Sequence, residues 1–219
     1  MYRARPADNK ELEEIVKRVS LEARLPAPKL YIIPTRVPNA FTCGRSPKHS
    51  VVAVTEGLLA LDSDEIEGVL AHEISHIKNN DMLVATMAAT IAGAISYIAH
   101  MGYWSLFFGG GRRGEGSLMG LVFIIIFAPL AAMLVRFAIS RKREYNADHT
   151  GALLTKKPQA LASALKKISK TAESTPLKGS SATSHLWIVN PFQKDWFTGL
   201  FMTHPDIKNR IERLENMAT

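Results

Sequence analysis

Apolar and polar positions recur with three different rhythms along the chain, and each predicts a different kind of element. From about Asn9 to Arg24, charged residues interleave with apolar ones at helical spacing, which predicts an amphipathic helix. Strand-like runs follow at Leu30–Ile33, around Phe41–Cys43 and most clearly at Ser50–Thr55, where Val51, Val52 and Val54 are β-branched, so a small sheet is predicted. Either Phe41–Cys43 or Val51–Val54 could form an exposed edge, on which an extended peptide gains main-chain hydrogen bonds whatever its side chains. Asp62 and Glu65 then have the spacing of a capping box, and Ile66, Val69, Leu70, Ile74 and Ile77 recur at helical intervals.

The third rhythm is almost purely apolar. Residues 82–108 contain no Asp, Glu, Lys or Arg, and neither do residues 117–135. Each run reaches the roughly 20 residues that a helix needs to cross hydrocarbon about 30 Å thick. The glycine-rich, charged stretch Gly109–Gly116 between them suits an exposed tip, and the pair reads as a transmembrane helical hairpin. Both ends of a hairpin emerge on one side of the bilayer. Residues just before 82 and just after 136 are therefore expected to face one another. A last helix is expected through Ile207, Ile211 and Leu214, with Pro205 in its first turn and His204 before it.

Candidate chemistry lies in the helix ahead of the hairpin. His72-Glu73-Ile74-Ser75-His76 is the H-E-x-x-H pattern, which places two imidazoles on one helical face and a carboxylate beside the first. Two such ligands can hold a zinc ion that acidifies a water, with Glu73 as the base. Asn79 and Met82 stand where an extended metzincin pattern would have Gly and His, so a third ligand must come from farther along. Beyond the second apolar run, Glu144 and Asp148 are four apart and share a face. Glu144 is read as the third ligand and Asp148 as the carboxylate that orients a ligand imidazole, although the spacing alone would serve with the two exchanged. His204 and Tyr145 are candidates for the donor that stabilises a developing oxyanion.

The H-E-x-x-H and downstream E-x-x-x-D helices flanking a hairpin resemble the HtpX-type membrane zinc metallopeptidases. The resemblance extends to Pro38-Asn39-Ala40-Phe41, Gly44–His49, Val51–Leu59 and Thr203-His204-Pro205. It implies one Zn2+ per chain on His72, His76 and Glu144, Glu73 as the catalytic acid and base, and a role for His204. The implied fold class is α+β, mainly helical: a gluzincin-like catalytic domain with a small β-sheet, interrupted by the transmembrane hairpin. Residues 1–80 and 140–219 would form the catalytic domain, and residues 81–139, with a loop at 109–117, the hairpin. Members of the family usually begin with a further pair of membrane helices, whereas this chain opens with Met1-Tyr2-Arg3-Ala4-Arg5-Pro6, which leaves its full topology open.

Charge adds an orientation. The net charge is +7, but the positive residues cluster beside the second apolar run at Arg136, Arg141, Lys142 and Arg143, so they point to a membrane face and not to nucleic acid. The catalytic domain of this multi-pass protein is expected on the cytoplasmic side of the inner cell membrane. The lone Cys43 leaves no intrachain disulfide to form. Between Ala172 and Ser184 the composition is that of a loop that could gate the cleft, and Trp187, Phe192, Trp196, Phe197 and Phe201 follow. The expected activity is endopeptidase hydrolysis through a metal-activated water. Its partners would be polypeptide substrates and the lipid bilayer; by resemblance the substrates would be misfolded membrane proteins, in quality control. The alternatives are a non-catalytic adaptor stapled by its metal and a prenyl-protein endopeptidase. The oligomeric state stays open.

Overall fold

The computed structural model describes residues 3–108, 115–174, 188 and 206–217. They divide into two compact units, one formed by residues 1–82 with 141–219 and the other by residues 83–140.

The first unit is mainly helical around a small mixed sheet. Its helix α1 spans Lys10–Ala23 because Asn9 caps it, accepting from the Leu12 N–H at 3.1 Å, and Arg24 ends it in the left-handed region at φ 59°. Leu12, Ile15, Val16, Val19 and Ala23 form its buried stripe. Four strands follow the order β1(Arg5–Pro6), β2(Lys29–Ile33), β4(Ser50–Thr55), β3(Ala40–Gly44), with β2 parallel to β4 and both outer strands antiparallel to their neighbours. Val51–Val54 is therefore interior, because β4 bonds on both sides; of the two expected peptide-accepting edges, Phe41–Cys43 in β3 is the one that is an edge among the described residues.

Helix α2 (Ser63–Lys78) carries the His-Glu-x-x-His run through the middle of this unit, buried along nearly its whole length. Such a helix needs partners for its acids as well as its apolar face. Glu65 accepts from the Asp62 N–H at 3.1 Å and from Ser163 at 2.6 Å, while Glu67 is gripped by Arg18 at 2.8 Å and Lys157 at 3.1 Å. These pairs tie α2 to α1 and to α5 (Pro158–Ser174), whose Leu161, Leu165 and Ile168 are fully enclosed. Ile188 is buried in the same core, and its N–H donates to Asn39 Oδ1 at 2.9 Å, just ahead of β3. Helix α6 (Ile207–Glu215) closes the unit through Leu214. Its N-cap is Asp206, which accepts from the Lys208 N–H at 3.0 Å; Pro205, expected in the first turn, lies outside the described residues.

Helices α3 (Asp81–Phe108) and α4 (Glu115–Thr155) contain the two apolar runs. Among the described residues no helix is long and apolar enough to cross a membrane. The expected exposed tip at 109–114, the expected gating loop from residue 175 onward and the aromatic cluster from Trp187 to Phe201 lie outside the described residues.

The end of α4 in the first unit lies against α2 by virtue of Gly151. A Cβ there would stand 2.9 Å from the His72 backbone nitrogen, closer than packed atoms tolerate, so only glycine permits this approach. Gly151→Ala is expected to destabilise the chain by about 1 to 3 kcal/mol, the usual range for overpacking. The denaturant midpoint measures it, and an unchanged midpoint would mean that the two helices separate without cost.

Candidate metal centre

Helical periodicity puts His72 and His76 one turn apart on α2, and their Nε2 atoms lie 3.2 Å from each other. The close approach at Gly151 brings α4 alongside. Glu144 Oε2 is 3.7 Å from His72 Nε2, and Glu144 Oε1 is 3.7 Å from His76 Nε2. The three side chains form one group able to hold a metal ion, with ligand atoms all within 4.8 Å of one another.

Each imidazole is held from behind by a carboxylate. Asp148 Oδ1 lies 2.9 Å from His72 Nδ1, an ion-pair approach oblique to the ring N–H, and Asp81 Oδ2 lies 2.7 Å from His76 Nδ1. Anchoring Nδ1 in this way directs both Nε2 atoms toward Glu144. Asp81 reaches back because α2 ends at Asn79 and Asn80 turns the chain through φ 57°, so the first residue of α3 faces the last turn of α2. Behind Asp148 stands Arg210 of α6, fully buried, which donates from Nε and Nη2 at 2.7 Å each. Its Nη1 is 3.3 Å from Glu144 Oε2, an ion pair without hydrogen-bond alignment. Glu73, on the same helix, accepts from the Thr42 hydroxyl of β3, 2.9 Å from Oε2.

Electrostatics favour a cation in the middle. Glu73, Asp81, Glu144 and Asp148 are all buried, and uncompensated buried carboxylates are costly. Burial alone would lower the pKa of His76, but the hydrogen bond to Asp81 and the charges of Glu144, Glu73 and Asp81 outweigh it and raise it to about 9. Burial would likewise raise Asp148; the charge and hydrogen bonds of Arg210 and the contact with His72 overcome that and hold it at about 2. Arg210 is in turn kept protonated beyond its ordinary range by Asp148, Glu144 and Glu73, despite its burial. A tetrahedral ion with bonds of ~2.0 to 2.1 Å separates its ligand atoms by about 3.3 Å. The two Nε2 atoms, 3.2 Å apart, match that spacing, and a Glu144 oxygen approaches each of them to 3.7 Å, so the three side chains suit such an ion.

Of the residues singled out in the sequence, His72, Glu73, His76, Glu144 and Asp148 converge here. Tyr145 stacks under the Arg213 guanidinium, 4.3 Å from its ring centre. His204 lies outside the described residues. Three participants carry no usable signal in the sequence: Asp81 beyond a helix break, Thr42 on a strand, and Arg210 among other charged residues near the end of the chain.

The depressed Asp148 pKa has a stability consequence. A carboxyl that titrates near 3.8 when unfolded and about 2 when folded contributes about 2 kcal/mol. The contribution is present above pH ~4 and lost as pH falls toward 2. In metal-free protein, Asp148→Asn is therefore expected to lower the denaturant midpoint strongly at neutral pH, with the gap to wild type narrowing between pH 4 and 2. A constant gap across that range would contradict the linkage.

Comparison with known proteins agrees with this geometry. A family model described as Peptidase family M48 matches residues 6–218. A "Protease HtpX homolog" of Pyrococcus furiosus is 54% identical over 212 residues, spanning 95% of this chain and 73% of that protein. Another, of Syntrophotalea carbinolica, is 50% identical over 223 residues, spanning 100% of this chain and 80% of that protein. The crystal structure of S. mikatae Ste24p is similar in fold, with a TM-score of 0.67 at 19% identity over 98% of this chain and 52% of that one. With a family match along nearly its whole length and relatives identical at half or more of the aligned positions, the chain belongs to peptidase family M48, a family of metal-dependent peptidases.

Proposed function

We propose that the protein is a membrane-bound, zinc-dependent endopeptidase. The observation that carries this reading is the convergence of His72 Nε2, His76 Nε2 and Glu144 on one position, with the Glu73 carboxylate on the same helix. Two imidazoles and a carboxylate with a place left open form the donor set of catalytic zinc sites, and a zinc ion there supplies Lewis acidity to a water and to the scissile carbonyl. Glu73 takes a proton from the attacking water and delivers it to the departing amine nitrogen as the C–N bond breaks. Asp148 and Asp81 keep the two imidazoles in the tautomer that presents Nε2, and Arg210 fixes Asp148.

The edge strand β3 supports a peptide substrate, since an extended chain can pair along its open side. Two observations support lipid as a neighbour. Residues 82–108 and 117–135 carry no formal charge, and Leu83, Met87, Ile91, Tyr97, Ile126 and Leu130 of the second unit are exposed. Substrates would then be polypeptides at or in the membrane, with misfolded membrane proteins the class that fits a quality-control role, and the basic Arg141, Lys142 and Arg143 support a catalytic unit on the cytoplasmic side. Glu73 argues against a metal that only staples helices, because a structural site has no use for a base beside its first ligand.

Metal analysis and caseinolysis of the purified chain test this. Glu73→Gln is expected to retain zinc and lose activity by ~100-fold or more, whereas Glu144→Ala loses both. Full zinc occupancy in Glu144→Ala would move the third ligand elsewhere, and cleavage confined to prenylated peptides would favour the narrower endopeptidase. Zinc affinity should also depend on pH. A ligand imidazole must be unprotonated, and His76 in the metal-free chain titrates at about 9. Competition with a chromophoric chelator should therefore show apparent affinity falling about tenfold per unit as pH drops from 8 to 6; a flat profile would contradict it.

A further inference from the structure

The Thr42 hydroxyl has no part in metal binding, yet among the described residues it is the hydrogen-bond donor to the side chain of the proposed base. Its Oγ1 lies 2.9 Å from Glu73 Oε2 and 3.2 Å from the Glu73 carbonyl oxygen. A hydroxyl has one proton to give, and the carboxylate is the nearer acceptor. Thr42 sits mid-way along β3, locked opposite Val52 of β4, so its position is set by a sheet and not by the helix that carries Glu73.

We propose that Thr42 is a positioning residue for Glu73: it anchors one carboxylate oxygen, Oε2, and so presents Oε1 to the water that attacks the peptide bond. This rests on the peptidase reading above, since only a base has an orientation to lose. Glutamate has three rotatable side-chain bonds, and an unanchored carboxylate would sample several rotamers. Proton transfer needs the acceptor within hydrogen-bond reach of the water, and misplacement by about 1 Å can cost ~100-fold in rate. Glu73 is 4% exposed, so bulk water does not offer a substitute donor. The same strand carries the open edge suited to an extended peptide, so base and substrate would share one rigid reference.

The test compares wild type, Thr42→Val, Thr42→Ala, Thr42→Ser and Glu73→Gln in the full chain, measuring kcat and KM on a fluorogenic peptide and zinc affinity by chelator competition. Thr42→Val and Thr42→Ala are expected to lower kcat about 10- to 100-fold with KM within about twofold. Zinc affinity should stay within about twofold of wild type, because Glu73 is not a ligand. Thr42→Ser, which keeps the hydroxyl, should restore kcat to within about threefold. Wild-type kcat in Thr42→Val alongside an inactive Glu73→Gln overturns the positioning role and leaves the peptidase reading intact. Loss of zinc affinity or of folding in both Val and Ala variants also overturns it, since the hydroxyl would then be structural. Wild-type protein that binds zinc but shows no hydrolysis abolished by Glu73→Gln overturns both.

Discussion

Four carboxylates buried around two imidazoles set the terms for the rest of the site. Each would be costly without a partner of opposite charge or a hydrogen-bond donor, and together they exceed what Arg210 can neutralise. The arrangement is a cage whose donor set suits a cation at its centre. Arg210 and the backs of the two histidines absorb Asp148 and Asp81, the Thr42 hydroxyl occupies one oxygen of Glu73, and Glu144 faces the two Nε2 atoms.

The fold serves this cage by supplying its walls from separated parts of the chain. Helix α2 gives three residues, the end of α4 gives two, and the starts of α3 and α6 and the edge strand β3 give one each. What permits the meeting is backbone proximity: without the missing side chain at Gly151, α4 could not lie against the His72 backbone. The salt bridges of Glu65 and Glu67 to Lys167, Arg18 and Lys157 hold α2 from its other sides, which fixes the helix that every other wall refers to.

Local physics was legible in the sequence, and distant pairing was not. The ends of α1 follow from Asn9 and from the apolar stripe, and β2 and β4 follow from β-branched runs, because these signals act within a few residues. Strand order is a tertiary outcome, which is why β3 and β4 competed as edges until β4 proved to lie between two neighbours. In the site, His72, Glu73 and His76 are written in one helical turn. Asp81 escaped because the i,i+4 rule stops at a helix end, and the αL turn at Asn80 re-aims the chain by a route that periodicity does not encode. Arg210 escaped because a guanidinium near the end of a chain reads as ordinary surface charge until it is found fully enclosed.

The Ile188–Asn39 contact bears on how Arg210 comes to be in place. Between α5 and α6 the backbone must travel from Ser174 to Asp206, and closing so long an excursion in one step loses chain entropy. Ile188, sunk into the core and bonded to Asn39, divides that excursion into two shorter arcs. With Ile188 seated, the loop left to close before the helix bearing Arg210 is shorter than the whole span from α5 to α6. One hydrogen bond from the Ile188 main chain to the Asn39 side chain, at the head of the edge strand, thus shortens the loop whose closure seats Arg210.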